Sequence, residues 1–164
     1  MTQPAPKNLA RSDADVTIRV AELNDLPGLT LLDSEVFGTL AYPPFVLRQL
    51  FDVHRDSWYV AVHPTAGLVG YSLAAATLDR ATAWLLALAV SDRQRGKGYG
   101  RLLVEATLEK LRKERVAQAE LTVEPTNKPA IALYRSLGFT EGDHIADYLG
   151  PGEDRLTMVH HLLG

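Results

Sequence analysis

Eight residues from Ala83 to Val90 run without a polar side chain, a pattern that predicts a strand buried on both faces. The run stops at Ser91, and a polar, basic, glycine-rich stretch follows through Gly100. Beyond it, Leu102, Leu103, Ala106 and Leu111 recur at helical spacing, with Arg101, Glu105, Glu109, Arg112 and Lys113 on the outer side. Upstream, Val16, Ile18 and Val20 alternate with Thr17 and Arg19, predicting a first strand over Val16 to Ala21. Asn24 or Asp25 can cap the helix that follows, with Pro27 in its first turn and Leu26, Leu29, Leu32 and Phe37 on its apolar side. Gly38 to Pro44 reads as a loop and Phe45 to Val53 as a short helix. Trp58 to Val62 and Leu68 to Ala76 pair as a hairpin around His63 to Gly67. Ala119 to Val123 is another strand, ended by Pro125, and Asn127 to Leu137 a helix closed by Gly138 with Phe139 packing beyond it. Thr140 to Tyr148 and Asp154 to His161 bracket a Gly/Pro loop, a final hairpin. Strands first, then alternating strands and helices, predict a mixed α+β sheet with helices on both faces.

Composition narrows the class. The 164 residues suit one domain spanning 16 to 164, large enough to bury about two-thirds of its unfolded surface. Residues 1 to 15 read as a flexible polar tail rather than a signal peptide. A net charge of -3 argues against general nucleic-acid affinity. The absence of cysteine excludes disulfides, thiolate metal sites and an acyl-cysteine intermediate. The longest apolar region, Leu68 to Val90, is broken by Asp79 and Arg80, leaving pieces too short to span a bilayer. A cytoplasmic protein with no membrane partner is expected.

A strand, a basic glycine turn and a helix in succession expose backbone amides at the positive end of a helix dipole, where phosphate oxygens bind. Gly96, Gly98 and Gly100 allow tight curling and close ligand approach, and Arg93, Arg95 and Lys97 add charge. A nucleotide-triphosphate loop needs Ser or Thr after its lysine, whereas Gly98 follows Lys97, and the glycine spacing does not fit a dinucleotide fingerprint. Arg95-x-x-Gly98-x-Gly100 resembles the coenzyme A signature of the GNAT superfamily of N-acetyltransferases. A second stretch, Asn127-x-x-Ala130-x-x-x-Tyr134-x-x-x-Gly138-Phe139, resembles the element after the fifth strand of that family. The resemblance implies a mostly antiparallel mixed sheet of about seven strands, splayed between the fourth and fifth. It also implies acetyl-CoA as cofactor, its pyrophosphate held by Arg95, Gly96, Lys97, Gly98, Gly100 and Arg101 and the coenzyme contacted by Asn127, beside Ala130.

Further roles follow from the resemblance. A neutral amine attacks the thioester carbonyl, a backbone amide in the Leu88 to Val90 segment stabilises the oxyanion, and Tyr134 protonates the departing sulfur. Enzymes that acetylate the N-terminal alanine of ribosomal proteins carry a glutamate where Thr122 stands. Glu124, two residues on and on the same strand face, is the alternative base, ahead of Glu35, Asp79 and Asp147. At pH 7 an α-amine is about 14% neutral and a lysine amine only about 0.04%, so a site without a strong base favours a peptide N-terminus or a small amine of low pKa. The family places acceptor recognition on the loop between the first two helices and on the last hairpin. Here Tyr42 and Tyr148 would line the cleft and Glu153 or Asp154 would hold a cationic amine. A homodimer stays open at this level. The competing reading is a non-catalytic acyl-CoA-binding module. Ser72 nearly matches a hydrolase elbow but sits within a strand pattern, and His160 and His161 lack metal-ligand spacing. No metal site is expected.

Overall fold

The computed structural model describes residues 16–164, so the expected tail over residues 1 to 15 lies outside the described residues. The strands β1 (Thr17–Val20), β2 (Trp58–His63), β3 (Gly67–Ala76), β4 (Thr82–Val90), β5 (Gln118–Val123), β6 (Thr140–Ile145) and β7 (Arg155–His161) form one seven-stranded sheet in the order β1-β2-β3-β4-β5-β7-β6. Its helices are α1 (Leu26–Phe37), α2 (Pro44–His54), α3 (Tyr99–Lys113) and α4 (Lys128–Ser136). The mixed α+β architecture expected from the sequence is present: β4 and β5 are parallel, and the other neighbours are antiparallel.

Alternation along each strand sends side chains to two cores. On one face Leu29 and Leu32 of α1 and Leu47 and Phe51 of α2 bury Trp58, Val60, Tyr71, Leu73, Ala87 and Ala89. On the other, Leu103, Val104, Leu108 and Leu111 of α3 and Ile131 and Tyr134 of α4 cover β-strand residues including Ile18, Ala61, Leu121 and Met158. Each such fully buried aliphatic side chain contributes about 1.5–3 kcal/mol. The sequence reading of α3 needs adjustment: Tyr99, Val104, Thr107 and Leu108 are buried, while Leu102 and Ala106 are only half-buried at the margin of the core.

Three expectations are corrected. First, β4 is not buried on both faces. Leu86 is 40% exposed and Leu85, Leu88 and Val90 are half-buried. The cause is a parting of strands: β4 and β5 pair through Thr82–Trp84 and Gln118–Glu120 alone, so the rest of β4 has no ladder neighbour on that side. Second, Asp25 occupies the N-cap position of α1, as expected, but its side chain makes no capping bond to that helix. Its carboxylate accepts the Glu22 amide at 2.7 Å and grips Arg19 of β1 at 2.7 and 2.9 Å, tying strand to helix. Third, β6 ends at Ile145, short of Tyr148, because residues 147 to 153 fold into a tight loop. In that loop Asp147, at φ 54°, receives the Gly152 amide at 2.7 Å and Asp154 receives the Asp147 amide at 3.0 Å.

Candidate active site

The glycine turn departs from β4 through a single 3-10 turn at Asp92–Gln94 and enters α3 at Gly98. Gly96 and Gly98 sit at φ 78° and 83°, a left-handed conformation that costs side-chain-bearing residues strain. Gly100 is different. It is helical, and a Cβ there would meet Leu133 of α4 at 3.5 Å and Leu88 and Val90 of β4 at 3.8 Å. That position marks where the turn, β4 and α4 converge.

None of the backbone amides from Arg95 to Arg101 donates to a described protein acceptor; the first bond of α3 runs from the Leu102 amide to the Gly98 carbonyl at 3.2 Å. A run of unpaired amides at a helix N-terminus fits the oxygens of a diphosphate. The basic side chains are held around it rather than loose. Arg95 pairs with Asp92 at 2.9 Å, Lys97 donates to Gln94 at 2.9 Å, and Arg101 reaches across to Ser136 on α4 at 2.6 Å.

The fourth strand supplies a second set of donors. The Ser91 amide donates to the Val69 carbonyl at 2.8 Å. Amides alternate in direction along an antiparallel ladder, so those of Ala89 and Ala87 also face β3, and those of Leu88 and Val90 point the other way, into the open seam toward β5. A bulge follows: Leu73 pairs with Ala87 but Ala74 with Leu85, leaving Leu86 unpaired. This one-residue insertion reverses side-chain parity, so Leu85 and Leu88 both pack against the core under α3 and α4.

Tyr134 projects from α4 into that same core, edge-on to Phe139 with ring centroids 5.7 Å apart. Burial pushes its phenol pKa well above the ordinary tyrosine value, so it holds its proton throughout the neutral range. Among the described residues its hydroxyl has no hydrogen-bond partner. Asn127 caps α4, its side-chain oxygen accepting the Ala130 amide at 3.2 Å and its NH2 group remaining available to a ligand. Ala130 lies half-buried on the helix face it shares with Tyr134. Glu124 is exposed one residue past β5, and its carbonyl accepts the Asn127 amide at 2.9 Å.

The acceptor candidates sit on separate loops. Tyr42, between α1 and α2, is half-buried, with its amide on Asp33 at 2.7 Å. Tyr148 is 43% exposed in the β6–β7 loop. Glu153 is engaged by Arg155 at 3.2 Å, and Asp154 by His144 at 3.0 Å, so neither carboxylate is unpaired. The weaker bases are occupied too. Glu35 accepts the Ser91 hydroxyl and the Asp92 amide, each at 3.3 Å, and Asp79 accepts Thr77 and the Ala81 amide. Asp147 holds its own loop. Ser72 is buried and hydrogen-bonded to Thr107 at 2.9 Å, a structural role. Among the described residues no group of His, Asp and Glu side chains is arranged to hold a metal ion.

Sequence reasoning did not single out Asp33, Ser136, Arg155 or the Leu86 bulge. Asp33 alone left a signal: it stands four residues after Leu29, so it falls on the apolar face of α1. Two surface hollows of about 260 and 280 Å³ share Asp56 and Lys110 in their walls, at the far end of α3 from the glycine turn.

A model described as the acetyltransferase (GNAT) family matches residues 26–139. The chain is 39% identical over 127 residues to the ribosomal protein bS18-alanine N-acetyltransferase of Escherichia coli strain K12, covering 76% of this chain and 81% of that protein. The solved ribosomal-protein-S18-alanine N-acetyltransferase from Escherichia coli shares the fold with a TM-score of 0.77 and 25% identity, over 91% of this chain and 95% of the other. A phosphinothricin acetyltransferase from Sinorhizobium meliloti, solved in complex with acetyl-CoA, has the same fold with a TM-score of 0.78 at 21% identity, over 90% and 88% of the two chains.

Proposed function

The chain belongs to the acetyltransferase (GNAT) family, and from that premise we propose that it transfers an acetyl group from acetyl-CoA directly to a primary amine. One observation carries this reading: the unpaired amides from Arg95 to Arg101 end beside the seam into which the Leu88 and Val90 amides point. Acetyl-CoA supplies an activated acetyl thioester. The amides of the turn, with Arg95, Lys97 and Arg101 around them, hold its diphosphate, and Asn127 offers its NH2 group to the coenzyme. Leu88 and Val90 present amide dipoles to the charge that builds on the carbonyl oxygen, preorganised donors of a kind that removes several kcal/mol from a barrier. Tyr134 keeps its proton until the sulfur leaves, then donates it. Glu124, exposed at the carboxyl end of β5 and without a side-chain partner among the described residues, accepts the proton of the attacking amine.

The acceptor we infer is an α-amino group on a peptide or protein N-terminus, with a small amine of low pKa as the second choice. The support is chemical: Thr122 puts no carboxylate at its position on β5, and an amine already partly neutral needs the least help. Tyr42 and Tyr148 flank the entrance proposed for it. We place the protein in the cytoplasm; no helix among the described residues is long and apolar enough to cross a membrane. Free-thiol release in the presence of acetyl-CoA tests the reading, comparing a peptide with a free N-terminus against one blocked there but carrying lysine. Faster release with the free N-terminus is expected. Acetyl-CoA binding with no release across peptides and small amines would instead support a binding module, the reading that Thr122 favours.

A further inference from the structure

Asp33 is a carboxylic acid with 0% exposure, on the face of α1 that packs into the sheet. Its oxygens are divided between two elements. Oδ1 accepts the phenol of Tyr71 on β3, and Oδ2 accepts the backbone amide of Tyr42, between α1 and α2, at 2.7 Å. Among the described residues it has no cationic partner. Burial pushes its pKa up against the opposing effect of those two hydrogen bonds. Burying a carboxyl without a counter-charge is a poor way to gain stability, since an apolar residue of similar volume fills a core at lower cost. What this arrangement supplies is direction.

The loop needs it. Pro43 and Pro44 have no amide hydrogen, and the Ala41 amide is consumed within the loop by Gly38 at 3.1 Å. Among the described residues the Tyr42 amide is the donor that ties the far end of this loop to a buried side chain. The other end of the tether reaches the reaction strand: Tyr71 is the cross-strand partner of Ala89, the residue between Leu88 and Val90. We propose that Asp33, braced by Tyr71, is a positioning residue for the acceptor: it sets the Tyr42 loop at a fixed distance from the β4 amides and so determines how the amine is presented. The inference rests on the acetyltransferase reading and assigns a residue to its acceptor half alone.

Asp33→Ala, Asp33→Asn and Tyr71→Phe separate positioning from general packing. Removing the carboxyl with alanine raises the acceptor KM about tenfold or more while the KM for acetyl-CoA changes less than about twofold, because the glycine turn is untouched. Asp33→Asn, which keeps an oxygen for the Tyr42 amide, restores the acceptor KM to within about threefold of wild type. Tyr71→Phe removes the brace but keeps the oxygen that holds the Tyr42 amide, so it lowers the melting temperature and raises the acceptor KM only about threefold, well short of Asp33→Ala. If alanine does not fold, Asp33→Leu replaces it, filling the space without an acceptor oxygen. Hydrogen exchange at the Tyr42 amide reads the tether directly in the full chain, with protection lost in Asp33→Ala or Asp33→Leu and kept in Asp33→Asn. Unchanged exchange, a parallel rise in both KM values, or an equal effect of Tyr71→Phe on the acceptor overturns the proposal. A wild-type protein that binds acetyl-CoA but acetylates no amine overturns the function itself and the acceptor role with it, whereas exchange still reports the tether.

Discussion

Tyr134 and Asp33 differ in how far they can be read from neighbours in the chain. Tyr134 stands four residues after Ala130 and four before Gly138, and that spacing alone sets it on the inner face of a helix. The role of acid proposed for it predicts that Tyr134→Phe lowers kcat about 10²-fold with acetyl-CoA affinity unchanged, a split that steady-state kinetics and calorimetry resolve together. Asp33 shows in the sequence only as an acid on the apolar face of α1, and its partner Tyr71 comes from β3, 38 positions away. His160 is a third case. Burial first, then the nearby Arg112 and His161, hold its pKa below the ordinary histidine value. Its folded form therefore takes up a proton less readily than the unfolded chain. The stability this contributes is fully present above about pH 6.5 and is lost as pH falls through that unfolded value toward the lower folded one. Thermal melts at several pH values should show this acid sensitivity reduced in His160→Gln.

At the level of elements, glycine conformation separates binding from stability. Gly138 closes α4 with the Phe139 amide on the Tyr134 carbonyl and its own amide on Arg135, each at 3.1 Å, at φ 102°. A Cβ there would also lie 2.9 Å from the His160 ring. Gly138→Ala thus combines strain with a clash and should cost about 2 kcal/mol or more, read as a melting-temperature drop of roughly 4–8 °C. At Gly98 a Cβ meets nothing within 4 Å, so only the backbone strain of about 1–2 kcal/mol applies. Gly98→Ala should lower stability less than Gly138→Ala and weaken acetyl-CoA binding more, because it moves the amides proposed to hold the diphosphate. Parallel melts and calorimetric titrations decide between them. Both glycines were legible in the sequence because a turn's dihedral demand is local. The β4 bulge was not, since Leu86 becomes the extra residue only against the register of β3.

Across the whole molecule, the open seam is the feature to be filled. Leu85, Leu88 and Val90 remain half-buried because β5 leaves β4 after Trp84, and a ligand entering there bridges two halves of the sheet that share few hydrogen bonds. Saturating acetyl-CoA at about 100 times its Kd should raise stability by about 2.7 kcal/mol, read as a melting-temperature increase of roughly 5–10 °C. Free coenzyme A should produce most of the same shift if the proposed grip on the diphosphate holds. A shift with acetyl-CoA and none with coenzyme A would place the binding energy at the acetyl end and count against the turn as its holder.

Periodicity, turn glycines and the spacing of Asn127, Ala130 and Tyr134 determined the elements, the glycine turn between β4 and α3 and one face of α4 without any knowledge of distant contacts. Those features are set by steric and hydrophobic preferences acting over a few residues. Only the tertiary structure decided that β4 is half-open rather than buried, that the Leu88 and Val90 amides face the seam, and that Asp33 and Glu35 are spent on anchoring β3, the Tyr42 loop and the entry to the glycine turn. An amide's direction and a carboxylate's partner depend on which strands lie beside them, and that is set by segments far apart along the chain.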